Sequence, residues 1–398
     1  MTTASAPRRS WYRPMRSRSA TEPNRASTPL ELFFDLCFVV AVAQSATLLE
    51  HAVADHHFAH GVVSYAMVFF AIWWAWVNFT WFASAYDTDD DVYRLSVLIA
   101  IVGALIIAAG VPRAFDNLDF LVITIGYSVM RLANVGQWIR AAVSDPTHRQ
   151  AATRYAIGIA VVQVGWWLRL LSHGDAAYWT FLALVVAELL VPIWAERPGM
   201  TEWHPGHIAE RYGLFTLIVL GEAVLAASVA FESGLDGGAD ADVIWLAAAG
   251  IVIVFAMWWL YFDREADVGS FSSFIWGYGH YLIFASAAGV GAGLVVNVAF
   301  HTGDSQISDT TAGFALAIPV AAYTLSVWAL HVLPHEHGLL LLAPPVGVVL
   351  ILLAPLVPAT AQVIAMLLAL IVAVTVAPGR RAIALSTDES YPQATPPA

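Results

Sequence analysis

The chain has no lysine, a single cysteine and few charges of either sign. Of its 398 residues, 18 are basic, every one of them arginine, and 30 are acidic, so that 12% are charged. A soluble globular domain carries about 25%. The chain therefore lacks the polar surface that would keep it in water, which excludes a soluble enzyme and most nucleic-acid binders. A net charge of −12 at pH 7 argues further against a polyanionic partner. The lone Cys37 sits in an apolar run, so no disulfide framework exists.

What the chain has instead is apolar length, with 59% hydrophobic residues and 16 tryptophans. A hydrocarbon core about 30 Å thick takes roughly 20 residues per helix. Runs near that length fall at 30–50, 60–84, 93–111, 119–139, 154–171, 177–195, 211–231, 242–262, 276–298, 312–333, 338–354 and 356–377. Away from water each run must satisfy its own backbone, which at these lengths means helix. The reading is an all-α integral membrane protein with about twelve transmembrane helices. Pro355 and Pro358, between the last two runs, mark either a tight turn or a kink. The Arg-rich tail 1–29 and the stretch 378–398 read as disordered. The apolar run after the first tail contains Asp35 and is followed by many more, which argues against a cleaved signal peptide.

Arginine placement orients the chain. With the N-terminal tail (Arg8, Arg9, Arg13, Arg16, Arg18, Arg25) in the cytoplasm, the same side receives Arg94, Arg140, Arg149, Arg154, Arg197, Arg211, Arg264, Arg380 and Arg381. Arg113 and Arg169 fall on the other side, and Arg131 lies within a run. Positive charge favours cytoplasmic loops, so a multi-pass plasma-membrane protein with both termini cytoplasmic is expected.

Shifting the chain so that Phe70 meets Phe255 aligns Phe70-Ala71-Ile72-Trp73-Trp74 with Phe255-Ala256-Met257-Trp258-Trp259, and Ala114-Phe115 with Ala299-Phe300. This suggests two parallel six-helix repeats, 30–195 and 211–377, joined by a cytoplasmic connector at 196–210. Such duplication is a transporter pattern. The plainer reading makes both Trp pairs interfacial belt residues.

Ionisable groups deep in a bilayer are costly and mark candidate sites. Thr28 and Glu31 stand at capping-box spacing with Pro29 between them, so Glu31 reads as a structural cap. Asp35 lies one turn further in, on the same face. In the seventh run His207, Glu210, Arg211 and Glu222 share a helical stripe. Arg211 would snorkel to the interface, whereas Glu222 lies about 16 Å deeper, near the midplane. Glu188 is central in the sixth run. Arg131, mid-run, would pair with a buried acid, and His280 could relay protons or bond a neighbour. Counting Asp35, Glu188 and Glu222 against Arg131 leaves an acid excess, which suits protons or a small cation better than an anion. Gly289, Gly291 and Gly293 suggest close helix packing. His56 and His60 could share a metal only on a helix, and read instead as a solvated loop. No nucleophile–base pair or metal signature is visible, so neither an enzyme nor a cofactor is expected.

Several of these segments are recognisable together. Glu31-Leu32-Phe33-Phe34-Asp35-Leu36 with Phe38, Trp73-Trp74-Ala75-Trp76-Val77-Asn78-Phe79-Thr80-Trp81 with Tyr86-Asp87-Thr88-Asp89-Asp90, Glu210-Arg211-Tyr212-Gly213-Leu214-Phe215 with Leu220-Gly221-Glu222, Met257-Trp258-Trp259-Leu260-Tyr261-Phe262-Asp263 and Tyr278-Gly279-His280-Tyr281 occur in that order. The chain resembles the bacterial low temperature requirement protein A family. The resemblance implies a polytopic membrane protein named for a growth phenotype in the cold, without an established biochemical activity. It places motif positions on Asp35, Glu222, Asp263 and His280, and Tyr212 stands where relatives commonly carry His.

The expected function is a secondary transporter. Asp35, Glu222, Glu188, Arg131 and His280 would line its site, and Glu31, Glu210, Arg211 and Asp263 would be structural or gating. Its partners would be the lipid bilayer, protons or a small cation, and a small solute. An ion channel and a non-transporting membrane protein for cold or membrane stress are the alternatives.

Overall fold

The computed structural model describes residues 11–19, 21–22, 25–236, 241–264, 268, 272–334 and 339–389. Among these every regular element is a helix. In chain order they are α1 (Pro29–Cys37), α2 (Val39–Ala54), α3 (Phe58–Tyr86), α4 (Asp91–Asn117), α5 (Leu121–Ser144), α6 (Arg149–Arg169), α7 (Asp175–Ala195), α8 (Pro205–Asp236), α9 (Ala241–Phe262), α10 (Ser272–Thr302), α11 (Asp309–Val327), α12 (Ala343–Leu353) and α13 (Thr360–Glu389).

Eight stretches among the described residues are long and apolar enough to cross a membrane: α1 with α2, α3, α4, α7, α8, α9, α10, and α11 with its continuation to Val332. Shorter apolar helices follow at Ala343–Leu356 and Thr360–Thr375. At 24 residues α5 is longer than α7 and at 21 α6 equals it, but α5 carries Arg131, Gln137 and Arg140, and α6 carries Arg149, Arg154 and Arg169. The chain is thus a polytopic helical membrane protein.

By its internal contacts the chain divides into two compact units. The first holds residues up to Ala52, 57–218 and 268–270; the second holds 53–56, 219–267 and everything from 271. The division falls inside α8, not in the connector 196–210. Residues 205–218 go with the first unit because His207, Arg211, Tyr212 and Phe215 are all buried there against α1 and α3.

Within the first unit α3 is buried on nearly every side, with Trp73, Trp74 and Trp76 no more than 1% exposed. A helix hydrophobic all round belongs in an interior, and its indoles leave donors to be satisfied there. Beside it α4 and α5 approach to backbone distance. A Cβ added at Gly103 would lie 2.7 Å from the Gly126 carbonyl oxygen, and one at Gly126 would lie 2.6 Å from that of Gly103. Small residues permit this closeness between membrane helices.

The Arg-rich tail reads as disordered from the sequence, yet its described part is held against the first unit. Arg13 N–H donates to Asp90 (2.7 Å), Arg18 N–H to the Ala85 carbonyl (2.9 Å), and the Arg25 guanidinium to the carbonyls of Ala83 and Ser84. These acceptors cluster at the C-terminal end of α3 and the start of α4, where helix ends leave groups unpaired. Met15 is fully buried. Arg8, Arg9 and residues 390–398 lie outside the described residues, and the backbone of 378–389 continues α13.

In the second unit α10 packs closely on α11 and α8. A Cβ at Gly293 would meet Ala315 O at 2.4 Å, and one at Gly291 would meet Glu222 O at 3.3 Å. The Trp pairs that the internal alignment matches sit in different surroundings: Trp73 and Trp74 are buried, whereas Trp258 and Trp259 are 47% and 37% exposed. A π-helical turn, Trp328–Val332, extends α11.

Candidate functional site

The first polar centre is built on α1. Pro29 at the first helical position and the Thr28–Glu31 capping box start this helix: Thr28 Oγ1 accepts from Glu31 N–H (3.3 Å), and Glu31 Oε2 accepts from Thr28 N–H (2.7 Å). Capping occupies one Glu31 oxygen. The other points inward, 3.2 Å from His207 Nε2, 3.3 Å from Arg211 Nη1 and 3.9 Å from Arg25 Nη2. Glu31 is therefore a cap and an ion-pair partner at once.

One turn on, Asp35 is 1% exposed and its carboxylate accepts both Arg211 Nε–H (3.0 Å) and Nη2–H (2.5 Å). This two-pronged arrangement is the strong form of the pair. Trp76 Nε1–H adds a third bond to Asp35 Oδ1 at 2.6 Å, and Thr80 accepts from Arg211 at 3.4 Å. Snorkelling of Arg211 to the interface is overturned. Its guanidinium is fully buried because two carboxylates on the facing α1, one turn apart on the same helix face, balance its charge there.

The second centre joins α3, α5, α6 and α7. Arg131 donates to Glu188 Oε2 (2.8 Å), to Asn78 Oδ1 (3.1 Å) and to the Tyr127 hydroxyl (3.4 Å). Two indoles complete the carboxylate: Trp74 Nε1–H to Oε2 (2.8 Å) and Trp166 Nε1–H to Oε1 (2.9 Å). Tryptophan is donor-only, so it satisfies a buried carboxylate without adding charge.

These contacts revise the charge count. In the first unit Glu31, Asp35 and Glu188 are matched by Arg25, Arg131 and Arg211, all buried. At these two centres, among the described residues, the acid excess expected from the sequence does not appear, because Arg25 and Arg211, which the sequence assigns to the cytoplasmic side, are buried beside the carboxylates. Arg169, placed on the outer side, is also buried, with its guanidinium 4.6 Å over the Phe120 ring and 5.0 Å over that of Phe181.

In the second unit Glu222 is partly buried on α8, without an ion pair or hydrogen bond among the described residues. Its backbone oxygen faces Gly291 on α10. His280 is fully buried. Its Nδ1–H donates to the Trp276 carbonyl (2.7 Å), which leaves Nε2 to accept the Tyr261 hydroxyl (3.0 Å). The His331 ring, carried by the π-helical turn, lies 4.9 Å from Tyr261 and 5.6 Å from His280. Such turns are frequent at functional positions. Glu210 and Asp263 are exposed; Glu210 accepts from Ser27 N–H (3.2 Å), and Asp263 N–H donates to the Trp259 carbonyl at the end of α9. Among the described residues, no three His, Cys, Asp or Glu side chains gather in a way that could hold a metal ion.

Sequence reading missed Arg25, His207, Trp74, Trp76, Trp166 and His331. The tryptophans had a usable signal: an indole N–H inside an apolar run needs an acceptor. Arg25 had none, lying where a charge has easy access to water, whereas the place of His207 on the helical stripe of Arg211 pointed toward the same neighbours.

Outside the spans, the electrostatics follow local pairing. Burial alone would raise the Asp90 carboxyl, but the Arg140 guanidinium and the N–H groups of Tyr93 and Arg13 outweigh it and hold it below the ordinary range. Asp87 has the opposite balance. Burial, with the negative Glu31 nearby, pushes it up to about 6, against the weaker pull of the Asp89 N–H bonded to it and of Arg25 and Arg18.

Compared with known proteins, residues 26–377 match the family model described as bacterial low temperature requirement A protein (LtrA). An uncharacterized protein of Rhizobium meliloti (strain 1021) is 29% identical over 282 residues, spanning 65% of this chain and 66% of that relative. No solved structure matches the chain.

Proposed function

The chain belongs to the bacterial low temperature requirement A family, and on that premise we propose that it is a secondary transporter of the cell membrane, carrying a small solute in exchange or symport with protons or a small cation. Twelve spans in two parallel six-helix halves, with both termini cytoplasmic, are the arrangement this reading takes. In support, helix occupies each apolar run described, and arginine concentrates on one side of the resulting loops.

The observation that carries the proposal is the buried Asp35–Arg211 pair. Taking both charges out of water costs several kcal/mol per ion, and apolar side chains of similar volume would often hold the helices as well or better. Stability alone therefore gives no reason to bury it. A pair whose partners separate during a working cycle does: a proton or cation on Asp35 would release Arg211 and the start of α8 from α1. Glu222, an acid without a cationic partner among the described residues, is the second exchanging group in this reading.

Purified protein in liposomes with an imposed pH or cation gradient should show solute flux that falls at least tenfold in Glu222→Gln and in Asp35→Asn. Absence of gradient-driven flux across a broad solute panel would sink the reading. The matched charges of the first unit favour one other role, a non-transporting membrane protein for growth in the cold. In that case the apolar double variant Asp35→Leu with Arg211→Met would support growth in the cold as the native protein does.

A further inference from the structure

A cavity of about 30 Å³ lies between α3, α4 and α5 of the first unit. Its wall is mostly apolar, with Phe79, Phe82, Val97 and Met130, and polar residues are interleaved with these along α4 and α5. Several of their polar atoms are incomplete. The Tyr93 hydroxyl, the Gln137 Nε2 and the Asn134 Oδ1 are all buried, and none has a hydrogen-bond partner among the described residues. Tyr93 is 2% exposed and Gln137 5%.

A buried water needs roughly 10–15 Å³ and two to four polar partners. The cavity has room for about two waters, and its wall offers a hydroxyl, an amide donor and a carbonyl acceptor that no side chain completes. An apolar void would stay dry. One whose lining residues carry three buried polar atoms without a partner suits a ligand that both donates and accepts and is no larger than a water.

Its position gives it a role. Arg131 lines one end and is paired there with Glu188. At the other end Gln137 Oε1 accepts from Arg140 (3.4 Å), which is bonded in turn to Asp90 and to the Arg13 carbonyl. Arg131 and Arg140 are nine residues apart on α5, about 13 Å along its axis. We propose that this cavity is an internal water site, held by Tyr93, Asn134 and Gln137, which hydrates the buried Arg131–Glu188 pair and extends from it toward the Asp90–Arg140 pair at the loop end of the helices. The proposal stands whether or not the protein transports a solute.

Hydroxyl-radical footprinting by X-ray radiolysis, on the full chain in lipid nanodiscs, tests it. Radicals made from an internal water mark the side chains beside it even when they are buried. Met130 lines the cavity, while Met67 and Met257 are as buried and do not line it. Met130 is expected to be oxidised at least threefold faster than both. Equal rates for the three would overturn the proposal. Tyr93→Phe gives an independent readout: if the hydroxyl is unsatisfied in a dry void, removing it raises the melting temperature, which also overturns the proposal. A lowered or unchanged melting temperature supports it. Should the variant fail to fold, the footprint of the native chain decides alone.

Discussion

At the scale of single residues, the recurring device is an indole or guanidinium supplied to a buried carboxylate. Asp35 receives Trp76 and both prongs of Arg211; Glu188 receives Trp74, Trp166 and Arg131. Removing one member leaves the other charge buried and uncompensated, which costs about 3–5 kcal/mol, whereas replacing both by apolar side chains is often neutral. Arg211→Met alone should therefore lower the melting temperature sharply, and adding Asp35→Leu should restore most of it. Additive losses across the thermal double-mutant cycle would contradict the pairing. Asp87 carries the pH prediction. Its native carboxyl holds its proton up to about 6, above the unfolded value of about 3.9. Between these values the native state binds more protons than the unfolded state, so stability falls as pH rises through the window. The side chain is only 3% exposed, and the shift corresponds to at most ~3 kcal/mol at pH 7. Asp87→Asn should remove that fall: the variant gains stability over the native protein at pH 7 and not at pH 4, as melts at the two pH values would register.

At the scale of elements, packing depends on where small residues let backbones meet. Gly103 and Gly126 face each other across α4 and α5, each close to the other's carbonyl oxygen. Gly136, ten residues along α5, has open space around it. Gly126→Val must push the two helices apart, which loses contact along both; overpacking of this kind costs typically 1–3 kcal/mol. Gly136→Val meets nothing and should change stability by less than ~0.5 kcal/mol. A thermal shift of similar size in both variants would contradict the close approach. The helices themselves were legible in the sequence, since apolar run length is a property of single elements. The break between α1 and α2 at Phe38 was not, because no proline or glycine announces it. The anchoring of the tail was also hidden. Arginine-rich segments ordinarily stay solvated, and here the ends of α3 and α4 supply the acceptors that hold Arg13, Arg18 and Arg25.

At the scale of the whole molecule, the sequence by itself determined the solvent and the class of architecture. With 12% charged residues and 59% hydrophobic ones, the chain can satisfy its backbone only as helices in a bilayer. It also marked Asp35, Arg131, Glu188 and Glu222 as charges deep within apolar runs. Which groups meet was decided only by the tertiary structure. Asp35 and Arg211 are 176 residues apart, and Trp74 and Glu188 are 114 apart. A hydropathy pattern says how deep a residue lies along its own helix, and nothing about its azimuth toward another. That angle is set by side-chain packing between helices, and it turned an expected surplus of acids into matched pairs in the first unit while leaving Glu222 in the second without an ion pair among the described residues.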